Sequence, residues 1–203
     1  MSGAGFLSEP SPGDAVDAMY AADRERDGYV MNLRRVWAHV PEAHEAWSTL
    51  VTEAAEAAGL TYRSKGVVIS ALASELGDSY CCYAWGSRLA KASDPETAAM
   101  VLRGDEASGH ADLDDRERAI AAWARRLVDD PSGTTPADIA ALRATGLDDR
   151  QIAGLTAFIA GRIAFSTFND ALGARPDAEL HASAPDAVRE AITWGRAPAD
   201  VPG

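Results

Sequence analysis

The stretch from Tyr62 to Leu76 constrains the fold more than any other, because its apolar side chains surround almost the whole circumference of a helix. A helix without a polar face has to be buried on every side, so the other elements must pack around it. Gly77 can end this helix in the left-handed conformation. Asp78 or Ser79 can then cap a second helix with a side-chain oxygen. The sequence therefore predicts two consecutive helices, separated by a short break, at the centre of the fold.

Both cysteines of the chain lie in the second of these helices. Cys81 falls in its first turn, where free backbone N–H groups and the helix dipole favour an anion. A thiol in that position loses its proton more readily, as a redox nucleophile requires. Cys82 is its neighbour, and adjacent helical cysteines cannot form a disulfide without heavy strain. We therefore predict a reactive thiol at Cys81 and a core position for Cys82, with a small buried hydrophobe as the alternative for Cys81.

Helical periodicity continues through most of the remaining chain. Glycine stops, prolines in first turns and acidic caps mark the helix ends. Apolar and polar residues never alternate over a sustained stretch, so a sheet is not expected. The fold class is predicted to be all-α, a single helical domain over residues 14–203 preceded by a disordered lead at 1–13. Besides the two central helices, the predicted helices cover about 14–27, 29–38, 41–59, 95–104, 114–128, 135–146, 148–172 and 185–194.

Two further features bear on the organisation of the domain. The segment 105–113 is polar and contains glycine, and it is the only plausible internal seam. The segments 59–63 and 146–150 both begin with Gly-Leu, and each introduces a long apolar helix. A duplicated helical unit therefore remains open as an interpretation within the single domain.

The charge of the chain argues against several classes of partner. The net charge is −12 at pH 7, and the Lys and Arg residues are not clustered. Phosphate binding needs such clusters, so neither nucleic acid nor an anionic membrane is expected as a partner. No apolar run is judged long enough to span a bilayer, and the lead lacks the apolar core of a secretion signal. Two cysteines do not make the disulfide framework of an exported protein, so the sequence predicts a cytoplasmic location.

The histidines do not form a metal-binding pattern. His39, His44, His110 and His181 show no paired spacing with Cys, Asp or Glu of the kind that holds zinc. No metal and no other cofactor is therefore predicted. His39 lies shortly before Pro41, at the entry to a helix, and is a candidate to reach a cleft.

Several stretches of this chain, taken in order, resemble the AhpD-like alkylhydroperoxidase and carboxymuconolactone decarboxylase superfamily, in its peroxidase-related branch. The resemblance covers roughly residues 30 to 175, which is most of the predicted helical domain. It implies an AhpD-like helical bundle and a homo-oligomer, commonly a dimer, trimer or hexamer. The stretches that carry it are 32–41, 70–90, 113–119, 142–147 and 170–173.

The active-site pattern of that family is a Glu, then Cys-x-x-Cys, then a His four residues on. When this chain is laid on the pattern, Cys81 takes the place of the second cysteine, which attacks peroxide in the family. Asp78 stands in place of the first cysteine, which forms the disulfide. Trp85 stands in place of the His and Gly66 in place of the Glu, which together relay a proton. The resemblance thus implies an attacking thiol without its resolving and relay partners.

Moving the pattern by one residue, onto Ser79 and Cys82, also leaves one cysteine and no histidine. Acidic residues near Cys81 are substitute proton relays, and Asp78 and Glu75 are the two candidates. The Asp78 carboxylate would also raise the pKa of the thiol, which opposes the effect of the helix N-terminus. The candidate pocket residues around this thiol are Tyr80, Cys82, Trp85, Arg88 and His39.

Three functions from different classes follow. The first is a thiol-dependent, peroxide-reducing antioxidant enzyme in which Cys81 becomes a sulfenic acid that an external thiol reduces. The second is a non-redox, decarboxylase-type enzyme that moves protons on a small lactone or acid, with Glu75, Asp78 or His39 as the acid. The third is a catalytically silent helical oligomer that binds a ligand. The first two require a small-molecule substrate.

Overall fold

The computed structural model describes residues 5–105 and 111–199. Every regular element in these two ranges is helical, and none of the described residues forms a strand, which confirms the all-α prediction. The helices are α1 (Asp14–Asp27), α2 (Asn32–Trp37), α3 (Pro41–Ala58), α4 (Tyr62–Leu76), α5 (Ser79–Ala92), α6 (Pro95–Arg103), α7 (Asp115–Asp129), α8 (Pro136–Ala144), α9 (Asp149–Ala171), α10 (Ala178–Ser183) and α11 (Asp186–Ala191), with a 3₁₀ turn at Pro131–Gly133.

Helix α4 is the centre of the molecule, as its sequence predicts. All residues from Gly66 to Ala73 are buried, and the helix packs against α5, α6, α7 and α9. The other large contact joins α3 to α9. A Cβ atom on Gly154 would lie only 2.7 Å from the backbone nitrogen of Ala58, so α3 and α9 approach each other at a point where only glycine fits.

The junction between α4 and α5 has the predicted form. Gly77 adopts a φ of 75°, in the left-handed region, and ends α4. Of the two candidate caps, Asp78 is the one used, because its Oδ1 accepts a hydrogen bond from the backbone N–H of Cys81 at 2.9 Å. Ser79 is the first residue of α5, and its hydroxyl donates to the carbonyl of Arg196 at 2.8 Å. This junction fixes Cys81 in the first turn of α5.

The helix predicted over 29–38 is shorter than expected at its start. The segment 29–38 becomes helical only at Asn32, because buried carboxylates bind the backbone N–H groups at its start. Asp23 accepts from the N–H of Met31 at 3.2 Å, and Asp177 accepts from the N–H of Asn32 at 2.8 Å. These side chains cap α2 from distant parts of the chain, which local sequence could not indicate.

The C-terminal region also differs from its prediction. The helix predicted over 185–194 is α11, which covers only Asp186–Ala191, and α10 (Ala178–Ser183) lies before it, where no helix was predicted. The two are joined through an extended Ala184 and Pro185. Pro185 cannot continue the hydrogen bonding of α10, so the chain turns there. Helix α11 then ends at Ala191, because Ile192 is extended.

The lead, for which the sequence predicts disorder, is described from residue 5 onward; residues 1–4 lie outside the described range. Residues 5–13 contain no helix, yet they contact the body of the domain. The N–H of Phe6 donates to the carbonyl of Leu172 at 2.8 Å, and Glu9 pairs with Arg35 at 2.7 Å. The Phe6 side chain itself is 71% exposed, with the guanidinium carbon of Arg196 4.9 Å from its ring centroid, so polar contacts rather than apolar burial attach this segment.

Helix α9 is the one helix in the described ranges that is long and apolar enough, by length and composition, to cross a membrane. This differs from the expectation that no segment reaches that length. Half of its most apolar window is buried in the fold, where the helix packs on α3, α4, α7 and α8. The central helix of a globular domain passes the same test of length and composition, so the property is weak evidence for a membrane span.

Candidate functional site

A cavity of about 600 Å³ lies among α1, α2, α3, α5 and α9, and Tyr62 at the start of α4 also lines it. Its wall includes Cys81 from the first turn of α5 and Arg162 from the middle of α9. The aromatic side chains that line it come from four helices: Trp47, Tyr62, Tyr80, Trp85 and Phe165. The predicted reactive cysteine therefore has a space beside it that is large enough for a small molecule.

The thiol of Cys81 is in contact with two polar groups of α9. Its Sγ lies 3.4 Å from Nη2 of Arg162 and 3.8 Å from Oγ of Ser166, and both groups can donate to it. The residue is 2% exposed. Neither cysteine of the chain forms a disulfide.

Burial raises the pKa of the Cys81 thiol strongly, and the negative charge of Asp78 raises it further. The positive charge of Arg162 and the hydroxyl of Ser166 lower it, but by less. Burial and the Asp78 carboxylate therefore oppose the effect that the helix N-terminus is predicted to have on this thiol, and burial is the largest of the causes that shift its pKa. Arg162 is the cation that favours the thiolate.

The two predicted proton relays occupy different places. Glu75 pairs with Arg125 at 3.2 Å on the outside of α4, with its side chain 39% exposed, and it does not line the cavity. Asp78 is fully buried and uses Oδ1 as the cap of α5, while its Oδ2 has no hydrogen-bond partner in the described ranges. Glu75 is thus remote from the thiol, whereas Asp78 lies close enough for its charge to act on it.

Asp78→Asn is expected to speed the alkylation of Cys81 by iodoacetamide at pH 8 about ten-fold, because it removes a charge that raises the pKa of the thiol. Asparagine keeps an oxygen that can cap α5. The rate is followed by mass spectrometry of the Cys81 peptide, with Glu75→Gln as the matched control. An unchanged or slower rate would show that Asp78 does not oppose the thiolate. A loss of peroxide consumption alongside faster alkylation would instead identify Asp78 as a proton relay.

Arg162 is the main site residue that the sequence analysis missed. It is 6% exposed, and its guanidinium carbon lies 5.5 Å, 5.8 Å and 4.7 Å from the ring centroids of Trp47, Trp85 and Phe165. Burial lowers the pKa of this arginine, but the guanidinium stays protonated at neutral pH. The sequence signal that could have identified it is a single Arg in the apolar middle of a long helix. A charged side chain is rarely buried there unless it has a partner.

The predicted pocket residues divide into two groups. Tyr80, Trp85 and Arg88 line the cavity, as expected. Cys82 is fully buried and is not among the lining residues. His39 is also absent from the wall, because it is exposed and its Nε2 contacts the carbonyl of Ser8 at 2.9 Å.

The histidine that does line the cavity is His44, from α3. Burial and the positive charge of Arg34 lower its pKa to about 4, so the ring is neutral at neutral pH. Its Nε2 lies 2.7 Å from Nη1 of Arg34, which fits acceptance of a hydrogen bond from that guanidinium. Arg34 in turn pairs with the buried Asp23 at 3.1 Å. This histidine stands far from the thiol motif in sequence, so spacing could not identify it.

Tyr80 connects the site to the C-terminal region. Its hydroxyl donates to Asp177 and accepts from the N–H of Leu33 at 3.4 Å. Burial raises the pKa of Asp177 to about 6. Because Asp177 also caps α2 through Asn32, these bonds hold α2 against the first turn of α5. Tyr80 thereby positions one wall of the cavity.

The described residues contain no group of three or more His, Cys, Asp or Glu side chains that could hold a metal ion. The polar groups of the cavity are mainly cationic or neutral: Arg26, Arg34, Arg88, Arg162, His44 and Ser48, with Asp27 as the acidic member. The arrangement can bind an anion and can stabilise a thiolate.

No model of a known protein family matches this chain, and no curated protein matches it. Solved structures do match. An uncharacterized peroxidase-related protein from Silicibacter sp. TM1040 has a TM-score of 0.75 and 21% identity, over 87% of this chain and 94% of that one. A protein from Ralstonia eutropha JMP134, described as an alkylhydroperoxidase AhpD core and an uncharacterized peroxidase-related protein, has a TM-score of 0.72 and 22% identity, over 96% and 98%. The debrominase Bmp8 has a TM-score of 0.70 and 15% identity, over 92% and 97%. The chain therefore has the AhpD-like fold that its sequence resembles.

Proposed function

We propose that this protein is a thiol-dependent, peroxide-reducing enzyme in which Cys81 is the attacking nucleophile. The observation that carries the proposal is the contact of 3.4 Å between Cys81 Sγ and Arg162 Nη2 at the wall of a cavity of about 600 Å³. A thiol beside a fixed cation, with room for a substrate, is the arrangement that a cysteine nucleophile needs. The shared fold with peroxidase-related proteins supports the same chemistry.

In the proposed reaction, the thiolate of Cys81 attacks the oxygen of a hydroperoxide that carries the hydrogen. A sulfur–oxygen bond forms and the oxygen–oxygen bond breaks, which leaves a sulfenic acid on Cys81 and an alkoxide. The alkoxide takes up the proton that the thiol released and departs as an alcohol. Arg162 stabilises the negative charge first on sulfur and then on the departing oxygen, without moving between the two steps.

An external thiol completes the cycle. One thiol molecule attacks the sulfenic acid, releases water and forms a mixed disulfide with Cys81. A second thiol molecule attacks that disulfide, leaves as part of a small-molecule disulfide and returns Cys81 to its starting form. The external thiol is required because Asp78 stands where the family places a resolving cysteine, and Cys82 is too close along the helix to form the disulfide.

Trapping of the sulfenic acid tests the proposal directly. Reduced protein is exposed to hydrogen peroxide or tert-butyl hydroperoxide in the presence of dimedone, and peptides are analysed by mass spectrometry. A dimedone adduct is expected on Cys81, whereas the fully buried Cys82 should stay unmodified and serves as an internal control. Absence of the adduct from Cys81 at every peroxide dose would overturn the proposed chemistry.

A second candidate is removal of bromine from an aromatic ring. The aromatic wall of the cavity favours a flat substrate, and the debrominase Bmp8 shares the fold and has a variant solved in complex with 2,3,4-tribromopyrrole. The net reaction would convert one aryl bromide and two thiols into the arene, hydrogen bromide and a disulfide. Bromide release from 2,3,4-tribromopyrrole, with peroxide consumption measured on the same protein, distinguishes the two candidates.

A further inference from the structure

The cations of the cavity differ in how their charge is balanced. Arg26 and Arg34 both pair with the buried carboxylate of Asp23, at 2.8 Å and 3.1 Å. Arg88 and Arg162 also line the cavity, but neither forms an ion pair with an acidic residue in the described ranges. In a chain with a net charge of −12, two cations in one cavity that form no ion pair with a described residue are a local exception.

Arg162 is the more unusual of the two, because it is 6% exposed. In the described part of the chain its hydrogen bonding is limited to the contact of Nη2 with Cys81, and its Nε is buried without any partner. Burial raises the pKa of the Cys81 thiol and so favours its uncharged form beside the guanidinium. The charge of Asp78 acts on Arg162 without forming an ion pair with it, and an anion that enters the cavity would supply both a contacting charge and the missing acceptor.

The walls around this guanidinium define the shape of that anion. Trp47 and Phe165 lie nearly parallel, with ring centroids 4.3 Å apart and an interplanar angle of 22°. Trp85 belongs to α5, and the guanidinium carbon of Arg88 lies 4.8 Å from its ring centroid. Flat apolar walls favour a planar apolar body over a strongly hydrated ion such as acetate or sulfate.

We propose that the cavity binds a small aromatic monoanion, with its carboxylate against Arg162 and its ring against Trp47, Trp85 and Phe165. Arg88, which is half-buried, adds a second positive charge beside Trp85. The carboxylate would then lie next to the Cys81 sulfur, which is itself 3.4 Å from Arg162. If the anion is the substrate, the inference rests on the proposed thiol chemistry of the same cavity. Binding of the anion does not depend on that chemistry.

Benzoate and benzamide provide the test, because they share size and ring and differ in charge. Binding to the reduced wild-type protein is measured by titration calorimetry and by quenching of tryptophan fluorescence, since Trp47 and Trp85 line the cavity. Benzoate is expected to bind about ten-fold to a hundred-fold more tightly than benzamide, as one charge-assisted hydrogen-bonded pair would give. Equal binding of the two compounds, or binding of neither, would overturn the inference without the use of any variant.

Variants test whether Arg162 is the residue that gives the preference for benzoate over benzamide. Arg162→Met should reduce benzoate affinity to the level of benzamide, and Arg162→Lys should restore part of the preference. Arg150→Met is the matched control, because Arg150 is exposed near the start of the same helix, and it should bind as wild type does. If Arg162→Met keeps the full preference for benzoate, the site is elsewhere. Cys81→Ser should still bind benzoate, so failure of the peroxide chemistry and failure of the binding are separable results.

Discussion

Cys81→Ser is expected to lower hydroperoxide consumption by at least about a hundred-fold, because the chemistry proposed for this cavity depends on a single sulfur atom. Serine nearly keeps the size of the side chain, but its hydroxyl oxygen cannot be oxidised by a hydroperoxide as the sulfur is. The rate is measured as loss of tert-butyl hydroperoxide with dithiothreitol in excess as the external thiol. The wild-type rate should rise with pH from 7 to 9, because the pKa of Cys81 is raised and the thiolate is the reacting form.

Cys82→Ser is the matched control for this result. Cys82 is adjacent in sequence and equally buried, but it is absent from the cavity wall, so its variant should keep most of the activity. Equal rates in wild type and Cys81→Ser would remove the thiol proposal. Such a result would favour ligand binding alone or the non-redox alternative, for which Asp78 is the one of the three predicted acids that lies close to Cys81.

Arg162→Met is expected to slow alkylation of Cys81 by iodoacetamide at pH 8 about ten-fold or more. The guanidinium lowers the pKa of the thiol, and loss of its charge leaves burial and the Asp78 carboxylate unopposed. Methionine retains an apolar stem between the rings that surround the guanidinium. Removal of an unpaired buried charge should leave the thermal midpoint unchanged or raise it.

The combination of slower alkylation and undiminished stability distinguishes a role in reactivity from a role in folding. Arg150→Met, on the exposed part of α9, should change neither quantity. Arg162→Lys should recover part of the alkylation rate, because the charge is restored. An Arg162→Met protein with the wild-type alkylation rate would show that the guanidinium does not stabilise the thiolate.

Most of the helix ends could be predicted from the sequence. Asp114 and Asp148 are acidic caps of the kind predicted, and they begin α7 and α9 in capping boxes with Glu117 and Gln151. Gly77 ends α4, also as predicted. These signals are reliable because a cap and its partner are only three residues apart, so the rest of the fold does not alter them. The start of α2 was not predictable, because its caps come from α1 and from the C-terminal region.

The candidate site was predictable only where its residues belong to α5. Cys81, Tyr80, Trp85 and Arg88 follow one another along that helix, and all four line the cavity. Glu75 was predicted at the site because it is close to Cys81 in sequence, and His39 because it lies at the entry to a helix. The fold places both away from the cavity. The site contributions from α3 and α9, His44 and Arg162, come from distant segments.

What the sequence alone determined is the class of fold, the break before α5 and the place of Cys81 in its first turn. Periodicity and caps set these, and they act over a few residues. The tertiary structure decided the direction in which the pKa of the thiol is shifted, because desolvation depends on atoms that α9 and other helices bring around the sulfur. It also decided that the counter-charge is Arg162, on a helix distant in sequence from the cysteine it contacts.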